Sequence, residues 1–108
     1  MGNQKLDIGE GTITFWITAG EIQFNDGRTI PRVESNARDG SVSAIKDSDN
    51  KLKFSHVYLG KGRTDVAYDV SSLDPSQNHM VSATWSIESK EVILYIDGKQ
   101  VAEAKIKY

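Results

Sequence analysis

Aromatic side chains are the first residues in this sequence that could do chemistry, because a ring can stack on the apolar face of a sugar while its polar edge forms hydrogen bonds. Along a strand, odd- and even-numbered side chains point to opposite faces, and Trp16 has the parity opposite to that of its apolar strand neighbours. Trp16 therefore either lies on an outer surface or packs against a loop. Tyr95 also has the outward parity, whereas Tyr68 has the inward parity of its strand. The candidate ligand-binding residues are Trp16, Tyr58, Tyr95 and His56.

A second group of residues has the composition of a cation site. Asp47, Asp49 and Asn50 place side-chain oxygens within four residues, and calcium takes such ligands in loops. No later glutamate completes an EF-hand, and Asx-rich turns form without an ion, so a plain turn is the competing interpretation. His56 and His79 are far apart in a chain without cysteine, so no zinc site is predicted and His79 is expected to pack near the start of its strand.

Catalytic motifs are missing from the sequence. Retaining glycoside hydrolysis needs two carboxylates about 5 Å apart, and no strand has the Glu-x-Asp-x-x-Glu pattern that would place them so. Glu88 and Glu91 flank a turn and are the remaining candidate pair for a hydrolase. No Gly-x-Ser-x-Gly elbow or glycine-rich phosphate loop occurs. We therefore expect no enzymatic activity.

Composition indicates one folded domain, residues 1–108. The charge is balanced, with 13 basic and 15 acidic residues and a net charge of -2, so a nucleic acid or a membrane surface is not an expected partner. The first residues contain no apolar segment of the kind that export or membrane insertion requires. These features leave the cellular location open.

Apolar residues alternate with polar ones along most of the chain, which predicts eight or so short half-buried strands. Trp85 belongs to an inward set, so it is predicted to lie in the core. Asp97-Gly98 predicts a tight hairpin. Residues 31–41 are the least patterned and are expected to form the longest loop, and a short helical turn is expected near residues 72–77. The predicted strand candidates include residues 13–17, 22–24, 42–44, 52–54, 57–59, 66–70, 81–87, 92–96 and 101–106.

Three segments resemble motifs of concanavalin A-like, laminin G-like jelly-roll domains. Residues 11–17 (GTITFWI) are similar to the family's Phe-Trp strand, and residues 94–102 (LYIDGKQVA) to its Leu-Tyr-Val-Asp-Gly-Lys-Leu-Val hairpin. Residues 78–85 (NHMVSATW) resemble its Trp-His-His-Val-Ala-Val-Thr-Trp strand, although Asn78 replaces the first tryptophan and His79 alone represents the paired histidines. The resemblance covers roughly residues 10–104.

The resemblance implies an all-β fold, a short antiparallel β-sandwich of the jelly-roll type. It implies a non-enzymatic recognition module that binds carbohydrate or protein through a sheet face or a loop rim, with calcium as the one candidate cofactor. Domains of the family commonly exceed this length, so uncovered strand edges are expected here. The alternative hypothesis is a structural or assembly protein that forms a homodimer or larger oligomer through those edges.

Overall fold

The structure is a computed structural model that describes residues 7–108, and these residues form eight strands and no helix. The six preceding residues, which begin the predicted domain and were expected to carry no export signal, lie outside the described residues. The strands are β1 (Glu10–Ile17), β2 (Ile30–Ala37), β3 (Gly40–Lys46), β4 (Lys51–Tyr58), β5 (Gly62–Asp69), β6 (His79–Ser86), β7 (Glu91–Ile96) and β8 (Lys99–Lys105).

The strands form two antiparallel sheets packed face to face. The front sheet has the order β1-β6-β7-β8 and the back sheet the order β2-β3-β4-β5. Within residues 7–108, no helix is long and apolar enough to span a bilayer. The predicted all-β sandwich is confirmed.

Strict alternation of side chains builds the front sheet. Along β6 the inward residues Val81, Ala83 and Trp85 are buried, while the residues between them are only half-buried. The Asp97-Gly98 turn joins β7 to β8 with φ angles of 55° and 81°. Two consecutive left-handed residues match the right-handed twist of the flanking strands, so the predicted tight hairpin is confirmed.

Trp85 is the centre of the core between the two sheets. Its indole stacks on Phe54 of the back sheet, with ring centroids 5.8 Å apart and an interplanar angle of 24°. Its Nε1–H donates to the backbone oxygen of Asp7 at 2.9 Å. The ring also lies against Gly11 of β1, where an added Cβ would come within 2.5 Å of it. The prediction that Trp85 is a core residue is confirmed.

Both ends of the described chain are attached to one buried histidine. His56 on β4 is fully buried, and its Nε2–H donates to the carbonyl of Ile8, which precedes β1, at 2.7 Å. Its Nδ1 lies 2.9 Å from the hydroxyl of Tyr108, which follows β8. The same hydroxyl accepts from Thr64 on β5. His56 is thus a structural crosslink between the two sheets.

The structure corrects the expected loop at residues 31–41. Most of this segment is strand β2, which pairs with β3, and only the turn at residues 38–39 separates them. Pro31 and a register shift between Pro31 and Val33 interrupt the alternation, which is why the segment lacks a clear strand pattern.

Three further expectations about elements were wrong. Residues 22–24 are not a strand, although Ile22 and Phe24 are buried from a loop. The candidates at residues 52–54 and 57–59 belong mainly to one strand, β4. Residues 72–77 form turns rather than a helical segment. In the first two cases a short apolar alternation was too local to show whether the chain continues or bends.

Candidate functional site

The outer surface of the front sheet carries an exposed aromatic patch. We define the front face as the outward side chains of Thr14 and Trp16 on β1, Met80 and Ser82 on β6, and Tyr95 on β7. Trp16 is opposite Met80, while Thr14, Ser82 and Tyr95 form one row across three strands. None of these side chains carries a charge.

Trp16 dominates the front face, because 58% of it is exposed to solvent. From the usual strand spacing and rise, we place Tyr95 about 12 Å from Trp16, two strands away and one row along. Between them, the hydroxyls of Thr14 and Ser82 lie 3.2 Å apart and share a hydrogen bond. The patch therefore combines a free apolar ring with hydroxyl groups that donate and accept.

The other two predicted ligand-binding residues do not join this face. His56 is buried and hydrogen-bonded at both ring nitrogens, so a ligand has no access to it in this structure. Tyr58 points inward from the back sheet and meets Tyr108 edge-to-face, with centroids 6.5 Å apart. Tyr68 was expected inward with Val66 and is instead 39% exposed, because it lies near the end of the edge strand β5.

The predicted calcium residues form the β3–β4 turn. One oxygen of Asp47, Oδ1, accepts from the backbone N–H groups of Asp49 and Lys51. The side-chain oxygen of Asn50 accepts from the Gly27 N–H and faces the Lys46 ammonium at 3.4 Å. Among the described residues, no group of three or more histidine or acidic side chains could hold a metal ion. One oxygen of Asp47 and the oxygen of Asn50 thus already accept hydrogen bonds, and the Lys46 ammonium beside Asn50 opposes a second cation there.

Sequence reasoning missed the buried cation beside that turn. Lys46 on β3 is 1% exposed, and its Nζ lies 2.6 Å from Oδ1 of Asp26 in the loop after β1. The ion pair lowers the pKa of Asp26, chiefly through the hydrogen bond from Lys46. The sequence did indicate that Lys46 is buried, since Lys46 has the inward parity of Val42 and Ala44. Lys46 thereby attaches the long β1–β2 loop to the sandwich.

His79 forms a polar anchor at the opposite end of β6 from Trp85. Its Nδ1 lies 2.8 Å from Oδ2 of Asp97 in the β7–β8 turn, and its Nε2 lies 2.7 Å from the backbone oxygen of Asp74. Burial opposes the charged ring, but the hydrogen bonds to Asp97 and Asp74 outweigh it and raise the pKa of His79. The expectation that His79 packs near the start of its strand is confirmed.

The His79–Asp97 pair predicts a pH-dependent stability. Because the folded pKa of His79 is raised, its contribution is complete below the unfolded value near 6.5 and is lost as pH rises through the folded pKa. The pKa of Asp97 is lowered by the same bond, so its contribution is lost only when pH falls through that lowered value. We expect the thermal midpoint to fall by a few degrees between pH 6 and pH 8.5, on the order of 1 kcal/mol or less because Asp97 is half exposed.

Circular dichroism melts of the wild type and of His79→Gln at several pH values measure this effect. Glutamine can form similar hydrogen bonds without titrating, so the difference between the two midpoints should shrink as pH rises. A difference that stays constant from pH 6 to pH 8.5 would show that His79 does not titrate in this range.

Comparison with known proteins agrees with this architecture. The laminin G family model described as the concanavalin A-like lectin/glucanases superfamily matches residues 1–108. Domains LG4-5 of the mouse laminin alpha1 chain have a similar fold, with a TM-score of 0.63 and 21% sequence identity. That match covers 89% of this chain and 24% of the laminin chain, so the sequence spans about a quarter of that two-domain structure. No curated protein sequence matches this chain.

The match to the family model and the two-sheet topology give the same assignment. The three segments that resemble family motifs lie on β1, β6 and the β7–β8 hairpin, which are neighbours in the front sheet. Laminin G-like domains are generally non-catalytic binding modules. This chain therefore belongs to the laminin G-like domains of the concanavalin A-like superfamily.

Proposed function

We propose that this domain is a non-enzymatic recognition module that binds carbohydrate through its front face. The observation that carries the proposal is Trp16, a large aromatic ring left 58% exposed on a regular sheet surface. The other tryptophan, Trp85, is only 3% exposed, so this sandwich can bury an indole. Exposure of Trp16 thus leaves a ring face ready for an apolar surface such as that of a sugar.

The remaining members of the front face supply polar contacts at suitable positions. Thr14 and Ser82 can each donate and accept hydrogen bonds, and they lie between the rings of Trp16 and Tyr95. The separation of about 12 Å between the two aromatic residues suits an extended chain of several sugar units rather than one. Because the face has no charged side chain, we expect neutral oligosaccharides to bind better than acidic ones.

Substitution of Trp16 by alanine tests the proposal. Burying a large apolar side chain is worth about 1.5–3 kcal/mol, and a change of 1.4 kcal/mol is tenfold in affinity. We expect Trp16→Ala to weaken binding of neutral tetrasaccharides of glucose, mannose, galactose or N-acetylglucosamine by at least about tenfold. Isothermal titration calorimetry or affinity electrophoresis measures the change.

Leu59 provides a matched control for this experiment. It is 62% exposed at the β4–β5 turn, on the back sheet, so Leu59→Ala removes a similarly exposed apolar side chain elsewhere. Its affinity should equal that of the wild type. Equal affinities for Trp16→Ala and the wild type, or no saturable binding by any tetrasaccharide, would reject the front face as a carbohydrate site.

A protein ligand and self-assembly are the alternatives that the sequence left open. Met80 gives the front face an apolar component that a protein could also use, but the hydroxyl pair between the rings favours a sugar. Self-assembly through strand edges would use β1, which has no neighbour beyond β6 among residues 7–108. Light scattering distinguishes this alternative, since assembly predicts a solution mass of at least two chains.

A further inference from the structure

The edge strands of the two sheets are protected to different degrees. An unprotected edge presents free backbone groups to any extended chain, and proteins commonly block such edges with charges, proline or bulges. Three of the four edge strands carry such features along their length, whereas β1 carries a charge only at its first residue and reads GTITFWI from there on. The blocking residues are Pro31, Arg32 and Glu34 on β2, Arg63, Asp65 and Asp69 on β5, and Lys99, Glu103 and Lys105 on β8.

Hydrogen bonds at the start of β1 show which of its backbone groups face outward. The N–H of Ile87 donates to the oxygen of Gly9, and Gly9 is opposite Ile87 in the register of β1 and β6. Hydrogen-bonded and non-hydrogen-bonded pairs alternate in an antiparallel ladder, so odd-numbered residues of β1 bond to β6. The N–H and C=O groups of Thr12, Thr14 and Trp16 therefore face the free edge, where no described residue pairs with them.

A cleft lies along this free edge between the two sheets. The edge strands β5 and β8 approach each other on one side of the sandwich, while β1 and β2 scarcely do so on the other. The resulting cleft of about 610 Å³ has Ile13, Val33 and Trp85 as its apolar lining. Its charged lining residues are all acidic, namely Asp7, Glu10 and Glu34.

We propose that the β1 edge binds an extended peptide strand in which basic and apolar residues alternate. The strand would pair with the outward backbone groups of Thr12 and Thr14 and direct its basic side chains into the cleft, with their aliphatic stems along Ile13 and Val33 and their charged ends at the acidic lining. Its apolar side chains would alternate onto the outer side of the sheet. This site uses the backbone edge of β1 and the cleft instead of the aromatic side chains of the front face, and it goes beyond carbohydrate recognition. Backbone pairing supplies affinity, and the acidic lining selects the peptide by charge.

The acidic lining also argues against a second copy of this chain as the occupant. Two copies that paired through β1 would bring the acidic clefts of both chains to one interface, and like charges placed opposite each other are destabilising. The other edge of the front sheet, β8, already packs against β5, so it is poorly placed to extend the sheet of a neighbour. A basic peptide can both pair with the free backbone groups of β1 and place positive charge beside the acidic lining.

The test uses a fluorescein-labelled octapeptide of alternating lysine and valine, with the alternating glutamate and valine peptide as the charge control. Thr12→Pro removes one outward N–H without removing a bond to β6, and Thr12→Val is its matched control with the N–H retained. Fluorescence anisotropy is expected to show at least fivefold weaker binding of the lysine peptide to Thr12→Pro than to Thr12→Val. Glu34→Lys should weaken that binding at least tenfold, and Tyr68→Ala, on the edge strand β5, should leave it unchanged.

The outcomes separate this proposal from the carbohydrate site. Equal binding to Thr12→Pro and Thr12→Val, with both variants folded by circular dichroism, would overturn the pairing at β1. Preference for the glutamate peptide, or insensitivity to Glu34→Lys, would overturn the assigned charge. A wild-type solution mass of two chains that falls to one chain in Thr12→Pro would show that a second copy occupies the edge. Loss of peptide binding in Trp16→Ala, together with unchanged binding to Thr12→Pro, would instead assign the peptide to the front face.

Discussion

Trp85→Ala is expected to lower the free energy of unfolding by about 3–5 kcal/mol, the range for truncating a buried tryptophan. The ring is 3% exposed, stacks on Phe54 of the other sheet and covers Gly11 of β1. Its removal leaves a cavity between the sheets that neither backbone can fill. It also removes the shorter of the two hydrogen bonds to the carbonyl of Asp7, leaving the one from the Glu10 N–H. A domain of this size is stable by only about 5–15 kcal/mol, so the loss is a large fraction of the total.

Urea denaturation followed by far-ultraviolet circular dichroism measures this loss. Trp85→Phe is the matched control, because phenylalanine keeps an aromatic ring in contact with Phe54 and lacks the N–H that donates to Asp7. Its destabilisation should be clearly smaller than that of Trp85→Ala. If the alanine variant were as stable as the phenylalanine variant, Trp85 could not be the centre of the core.

His56→Leu is expected to lower the free energy of unfolding by about 1–3 kcal/mol, although leucine is apolar and similar in size. The carbonyl of Ile8 loses its hydrogen bond from the imidazole in a buried position. The hydroxyl of Tyr108 loses its contact with the imidazole but keeps those with Thr64 and the His56 carbonyl. Each buried polar group without a partner costs about 1–3 kcal/mol. The segments before β1 and after β8 would both loosen, because the imidazole bonds to each of them.

A double-mutant cycle with Tyr108→Phe tests this explanation. Removal of the Tyr108 hydroxyl should cost less in the His56→Leu background than in the wild type, because one partner is already gone. Strictly additive losses would mean that the two side chains do not act as one unit. Hydrogen exchange provides a second readout, with faster exchange expected in the residues adjacent to Ile8.

Strands β1, β6 and β7 of the front sheet could be predicted from the sequence because their side chains alternate strictly and the strands end at strong turn signals. Residue type and parity alone predict the inward residues of β6 and the tight turn at Asp97-Gly98. The same parity placed Trp16 outward, and the structure confirms its exposure. Here local pattern and tertiary packing favour the same arrangement.

Other elements depended on contacts that parity does not reveal. Strand β2 contains Pro31 and a register shift, so its pairing with β3 is visible only in three dimensions. The loop residues Ile22 and Phe24 alternate like a strand but bury their side chains at the end of the sandwich, where Phe24 meets His79 edge-to-face at 5.8 Å. A short alternation of apolar residues cannot distinguish a strand from a loop that buries the same side chains.

The candidate site was predictable only in part for the same reason. Trp16 and Tyr95 share a face because both have the outward parity in one sheet. His56 was named a candidate ligand-binding residue for its chemistry, yet its parity is that of Leu52 and Phe54, which are buried. A polar residue in an inward position was therefore the signal for a buried hydrogen-bond network, as it also was for Lys46.

The measurement that tests the central claim most directly is a ¹⁵N–¹H NMR titration of the wild-type domain with the tetrasaccharide that binds best. The two indole N–H groups provide a probe and an internal control, because Trp16 is exposed and Trp85 donates to Asp7 within the core. We predict saturable shifts of the Trp16 indole and of the amides of Thr14, Ser82 and Tyr95, with the Trp85 indole unchanged. Shifts confined to the loops or to the back sheet, with the Trp16 indole unmoved, would contradict carbohydrate binding by the front face.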